Sequence, residues 1–199
     1  MAVVNTRILR DVSIFLAMVA LGVATRLVPV YTSLDTWNLN AILAIALFAG
    51  FYYQNRFVAF APAAIAMLVG DLIIQRYDLR MMAVVYTALL IPVLLGPWLR
   101  KRLNPLNVGV GSLGAAVAFF IVSNGAYWWF YQSHTWSGLA AAYTQAVPFF
   151  RGTLAGTLVF SALLFGLYAL ATSRGWVAVA KPPYGRELGA ERQAEPAAV

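Results

Sequence analysis

The sequence predicts an all-α fold: a polytopic six-transmembrane-helix bundle, with a short interfacial helix between spans five and six. Three observations predict it. The chain is 62% hydrophobic and 11% charged, with a mean hydropathy of +0.75. Soluble domains run near 45–50% and about 25%. Polar side chains are too few to cover a water-soluble globule, so lipid is the expected solvent. Next, six apolar stretches approach the roughly 20 residues that a spanning helix needs. Finally, Lys and Arg sort to one side when those stretches are threaded through a bilayer.

The first stretch covers about residues 11–29. Arg7 and Arg10 precede it, as in a signal peptide, but no small-x-small cleavage site follows. It reads as a retained helix. The second, 38–54, is short, and the third, 57–75, starts at once across Gln54, Asn55 and Arg56, so the two form a tight helical hairpin. The fourth covers 81–99. Pro62 and Pro92 fall inside spans three and four, where neighbouring helices can satisfy the freed carbonyls. Pro97 sits where the fourth span should terminate. The fifth covers 109–131 and the sixth 150–173. Between them, residues 132–148 are too polar to span and too long for a turn. Trp136, Leu139, Ala140 and Tyr143 recur there at helical spacing, which suggests a helix lying in the interface. Residues 1–175 therefore form one transmembrane domain. Residues 176–199, rich in charge, Ala and Pro without apolar period, read as a disordered cytoplasmic tail.

With the N-terminus in the cytoplasm, that side receives Arg7, Arg10, Arg56, Arg100, Lys101, Arg102, Arg174, Lys181, Arg186 and Arg192. The outer side receives Arg26, Arg76, Arg80 and Arg151. Both termini are thus expected inside, in the inner membrane of a bacterium. Trp37, Trp98, Trp128, Trp129 and Trp136 fall near span ends, as interfacial aromatics do. The net charge of +7 follows from this flanking pattern. It does not point to nucleic acid, since the basic residues form no continuous surface. The absence of cysteine excludes disulfides, thiolate metal sites and Cys nucleophiles.

Polar groups enter the spans mainly on the outer side. Arg26, Asn40, Asp71, Asn124 and Arg151 share that depth, beneath loops near residues 31–37, 76–80 and 132–148. The cytoplasmic halves hold almost nothing comparable. Charges in hydrocarbon usually face a bundle interior or a wet cavity. The group therefore describes either an outward-facing binding pocket or, more simply, helix locks, with Asp71 paired to Arg26, Arg76 or Arg151. Arg26 and Arg151 can also snorkel. Asn38 reads as a helix N-cap, whereas Asn40 lies too far in for that role. Asn124 either lines the pocket or bonds across helices. Tyr127, Trp128, Trp129 and Tyr131 form an interface belt or stack on a ligand ring, as Trp136 could. His134, the lone histidine, is either solvated or a ligand contact. A metal site would need more donors. No phosphate loop, paired carboxylates or serine elbow marks an enzyme. No cofactor is expected. Ala20 with Ala24, and Gly152 with Gly156, are small-residue pairs that allow close helix packing or partner docking.

The motif order resembles a family of uncharacterised bacterial six-helix membrane proteins. The matching residues are Asn40 with the Ala-rich run 43–50, Gly70-Asp71-Leu72, and Ser123-Asn124-Gly125. To these are added the loop from His134 to Leu139 and the stretch from Ala146 to Leu154, which contains Pro148-Phe149-Phe150-Arg151. That family is similar in size and topology to the S-components of energy-coupling-factor vitamin transporters. The resemblance implies six helices holding a vitamin-like micronutrient near the outer face. It also implies a small-residue surface on the first helix, at Ala20 and Ala24, that docks a membrane coupling subunit working with ATPases. The expected function is small-molecule uptake through a site of Asn40, Asp71, Asn124, Arg151, Trp136, Tyr127, Arg26 and His134. The alternative is a non-transporting structural or assembly subunit of a larger membrane complex.

Overall fold

The computed structural model describes residues 2–32, 38–74 and 78–177. Among the described residues it holds seven helices and no strand. They are α1 (Ala2–Thr32), α2 (Ile42–Tyr52), α3 (Arg56–Ile74), α4 (Leu79–Ala88), α5 (Leu90–Lys101), α6 (Pro105–Tyr131) and α7 (Trp136–Ser173). Among the described residues, five helical segments are long and apolar enough to cross a membrane: Thr6–Val28, Arg56–Ile74, Leu79–Lys101, Pro105–Tyr131 and Trp136–Ser173. The expected tail lies almost wholly outside the described residues, as do 33–37 and 75–77 of the expected outer loops.

The second expected span is the main departure. Helix α2 has 11 residues, about 16 Å of rise, roughly half of a 30 Å hydrocarbon core. A helix apolar on every side belongs in an interior, and every residue from Ile42 to Phe51 is buried. Helices α3, α5, α6 and α7 surround it. Two glycines bring α2 and α5 into backbone contact. A Cβ on Gly96 would lie 2.0 Å from the Gly50 carbonyl carbon, and one on Gly50 would lie 2.3 Å from the Val93 oxygen. Phe48 and Phe51 pack edge-on or tilted against Phe165 and Tyr168 of α7, at 5.0–6.1 Å between centroids.

The carbonyl end of α2 is closed by Arg100. Its guanidinium donates to the oxygens of Phe51 (2.6 Å), Tyr53 (2.8 Å) and Gly50 (3.0 Å). A cation there satisfies orphan carbonyls and opposes the helix dipole. Nearby, Tyr52 and Tyr53 donate to the Asp11 carboxylate and carbonyl, both at 2.7 Å. These contacts bring the start of α1, the α2–α3 turn and the end of α5 together. That end, which also carries Lys101, Arg102 and Arg174, is the basic end of the bundle. It is not apolar, contrary to the expectation that those halves hold little.

Prolines act differently from expectation at two places. Pro97 does not terminate its helix; α5 continues to Lys101. The break comes earlier, at Leu89, where Pro92 offers no N–H to the Ala88 carbonyl. The helix expected to lie separately in the interface is instead the first part of α7, which runs unbroken through Pro148 for 38 residues. Thr135 caps it, accepting from the Gly138 amide at 3.1 Å. A proline removes one hydrogen bond but, with the other rungs intact, does not stop a long apolar helix.

Candidate functional site

Two polar groups lie at the end of the bundle opposite Arg100, and they are separate. The first is an ion pair. Arg26 of α1 meets Asp71 of α3, Nη2 to Oδ1 at 2.5 Å, with side chains 13% and 3% exposed. Tyr86 of α4 donates to the other carboxylate oxygen at 3.0 Å, and Arg26 Nη1 also reaches Met67 Sδ. Small residues make this approach possible. A Cβ on Gly70 would sit 2.3 Å from Arg26 Nε, and one on Gly22 would sit 2.6 Å from Ala66 Cβ. Both oxygens of Asp71 are therefore held by the protein, and three helices are tied at one carboxylate. Of its three expected partners, Asp71 takes Arg26.

The second group surrounds a cavity of about 150 Å³. Residues 38–41 approach α2 without helical structure. Asn38 has φ 46°, in the left-handed region that Asn tolerates better than most residues. Its amide donates to Thr153 Oγ1 of α7 at 3.0 Å. The backbone of Asn40 runs directly against α7, where a Cβ on Gly156 would lie 2.7 Å from the Asn40 oxygen. The roles expected of the two asparagines are exchanged. Asn40 Oδ1 accepts from the Ile42 amide at 3.2 Å, so Asn40 covers the helix start and Asn38 lines the cavity. Thr25 Oγ1 accepts the next amide back, from Ala41, at 3.1 Å. The remaining walls are Ser123 and Asn124 of α6, Thr153, and the rings of Phe119, Phe120, Phe149 and Phe150. Asn124 donates to the Phe120 carbonyl of its own helix at 2.8 Å, not across helices.

A family model described as a family of unknown function, DUF6580, matches residues 6–179. The chain belongs to this family. No curated protein and no solved structure matches it. The matched stretch contains all seven helices of this DUF6580 protein except the first residues of α1, so both polar groups lie within it.

Other residues expected at the site of the DUF6580 chain stand elsewhere. Arg151 is exposed and lines neither group. Trp136 is 86% exposed. Tyr127 is exposed and packs on Tyr131 at 5.4 Å. His134 stacks on Trp129 at 4.9 Å and 20°, with Nε2 2.9 Å from the Trp129 carbonyl. A carbonyl can only accept, so Nε2 carries the proton in that bond. The imidazole staples the α6–α7 turn, helped by Trp128 Nε1 donating to the Ser133 oxygen at 3.0 Å. No cluster of three metal-binding side chains occurs among the described residues. Ala20 and Ala24 are exposed on α1, while Met18, Gly22 and Arg26 take the packing positions. Gly152 and Gly156 are buried within the bundle. At the rim, Asp78 caps α4, and its bonds to Arg80 (2.9 Å from Nε, 3.0 Å from the amide) hold its carboxyl below the usual aspartate value.

Sequence reasoning missed the Asp11–Tyr52–Tyr53 cluster and the Arg100 cap. A carboxylate inside an apolar stretch, and a tyrosine pair ending a span too short to cross, were the available signals.

Proposed function

We propose that this DUF6580 protein binds a small polar molecule at the cavity between residues 38–41, α6 and α7. One arrangement carries the reading. The segment leading into a half-length helix gives Asn38 to a cavity whose walls hold two side-chain amides, two hydroxyls and four phenylalanine rings. Helices that break off at mid-depth beside a ligand are a recurring transporter device; here the amides of Ala41 and Ile42 are taken by Thr25 and Asn40, so the side chains of the cavity make the contacts. Intramembrane backbone without helical structure is tolerated where it lines a cavity. Asn38, Asn124, Ser123 and Thr153 supply the hydrogen bonds, and the phenylalanines supply apolar walls. At about 150 Å³ the cavity is smaller than the roughly 300–1,000 Å³ typical of sites for drug-sized ligands. The reading therefore favours a solute smaller than a vitamin. Arg26 and Asp71 hold the helices around it and do not contact the solute.

The Lys/Arg distribution supports a topology with the basic end in the cytoplasm and the cavity facing outward, which makes uptake the natural direction. The chain has no nucleotide-hydrolysing motif. Transport as in an S-component would need a coupling partner, and the exposed Ala20 and Ala24 of α1 offer a surface for one.

Mass spectrometry of small molecules extracted from gently purified protein tests the reading. The wild type is expected to release one polar species, and folded Asn124→Leu is expected to lose it. A single lost hydrogen bond costs about tenfold in affinity. An empty wild type, or an Asn124→Leu variant carrying the same species, overturns the proposal. If the empty wild type instead co-purified stoichiometrically with other membrane proteins, the assembly-subunit reading would take its place.

A further inference from the structure

At the basic end, a second and larger cleft opens between α6 and α7. Its volume is about 510 Å³, and its walls include Val108, Gly109, Ser112, Ala162, Phe165 and Gly166. The cleft exists because its walls are small. A Cβ on Gly109 or on Gly166 would meet nothing within 4 Å. The lining runs along α6 from its start to Ser112, about 11 Å of rise. It is almost entirely apolar, so a polar solute gains nothing there.

The mouth is different. Leu103 and Asn104 line it, directly after the exposed Lys101 and Arg102. Arg174 is exposed just beyond Ala169, the last wall residue on α7. None of the three forms an ion pair among the described residues. Arg100, their neighbour, is committed to the α2 carbonyls. Of the described acids, Asp71 and Asp78 lie at the opposite end, and Asp11 is held by Tyr52 and Arg10. Among the described residues, three cations without an acidic partner thus flank the two helix ends that line the mouth of an apolar slot.

We propose that this cleft is a binding site for an anionic phospholipid, with an acyl chain along the α6–α7 slot and the phosphate at Lys101, Arg102 and Arg174. An apolar slot accepts a hydrocarbon chain, and basic residues at its membrane-surface end recognise anionic head groups. Free phosphate would use the cations but not the slot. A neutral lipid would use the slot but not the cations. The site is independent of the polar cavity at the other end.

Native mass spectrometry of the full chain in mild detergent tests this, with phosphatidylglycerol or phosphatidylcholine added. The wild type is expected to retain phosphatidylglycerol about tenfold better, within what three surface cations supply. Gly109→Phe and Gly166→Phe fill the slot where nothing else stands, and each is expected to lose retained lipid while keeping the wild-type thermal midpoint. Joint replacement of Lys101, Arg102 and Arg174 by Gln is expected to keep lipid but remove the preference. Equal retention of the two lipids by the wild type overturns the proposal. So does full phosphatidylglycerol retention by folded Gly109→Phe or Gly166→Phe, or a dimer mass in place of bound lipid.

Discussion

Asp71 is the residue whose surroundings say most about its role. Each oxygen has a protein partner, and Gly70 is small because Arg26 lies across it. Removing one member of a buried pair leaves the other charge uncompensated, at a cost of about 3–5 kcal/mol. Asp71→Ala is therefore expected to lower thermal stability in detergent sharply. The double variant Arg26→Leu with Asp71→Leu is expected to recover much of that loss, because two apolar groups replace the pair. If the pair only locks helices, the double variant keeps whatever small molecule the wild type carries. Loss of that molecule from a stable double variant would place the ion pair in the binding site instead. Arg26, Asp71 and Tyr86 show what a sequence can and cannot tell. The chemistry of a charge in hydrocarbon is visible in the residue types. Its partner is not, because three arginines fall on the same side of the chain, and only helix rotation selects one.

Among the elements, α2 decides the architecture. Its composition is that of a spanning helix and its length is not. The helix is held in the interior because α5 comes close enough to pack on it backbone to backbone. Gly96→Ala puts a methyl against the main chain of Gly50, which rigid backbone cannot yield to, and overpacking of this kind costs about 1–3 kcal/mol or more. The expected result is a clear drop in folded yield and thermal midpoint. Gly114→Ala, where a Cβ meets nothing within 4 Å, is expected to be neutral. Equal behaviour of the two variants would contradict the α2–α5 contact. The short second apolar stretch and the abrupt turn at Gln54 were legible in the sequence. The burial of α2 on all sides was not, because a helix apolar on every side suits a lipid-facing span as well as an interior. The continuity of α7 was not legible either: residues 132–148 read as too polar to span, and only the helix running on through Pro148 joins them to the last apolar stretch.

For the whole molecule, the sorting of Lys and Arg makes one prediction that needs no ligand. The native chain has no cysteine, so a single introduced thiol reports alone. In intact cells, Ser133→Cys is expected to react with a membrane-impermeant maleimide and Leu103→Cys only after lysis. The reverse pattern would put the polar cavity on the cytoplasmic side and remove the uptake reading. The same sorting gives the lipid cleft its leaflet.

Composition and charge sufficed for the helical class, for helices apolar enough to cross a membrane, for the approximate position of most of them and for the division into a basic and a less basic end. These depend on hydropathy and on residue counts, which are properties of a linear chain. Packing was needed to divide the polar residues that share a depth into an ion pair, a cavity and exposed side chains. It also exchanged the roles of Asn38 and Asn40, and it left Arg151, Trp136 and His134 outside the cavity. Those outcomes depend on which way each helix turns and how close its neighbour comes. Glycines such as Gly70, Gly96 and Gly156 settle that closeness, and their meaning appears only once the atom across from each is known.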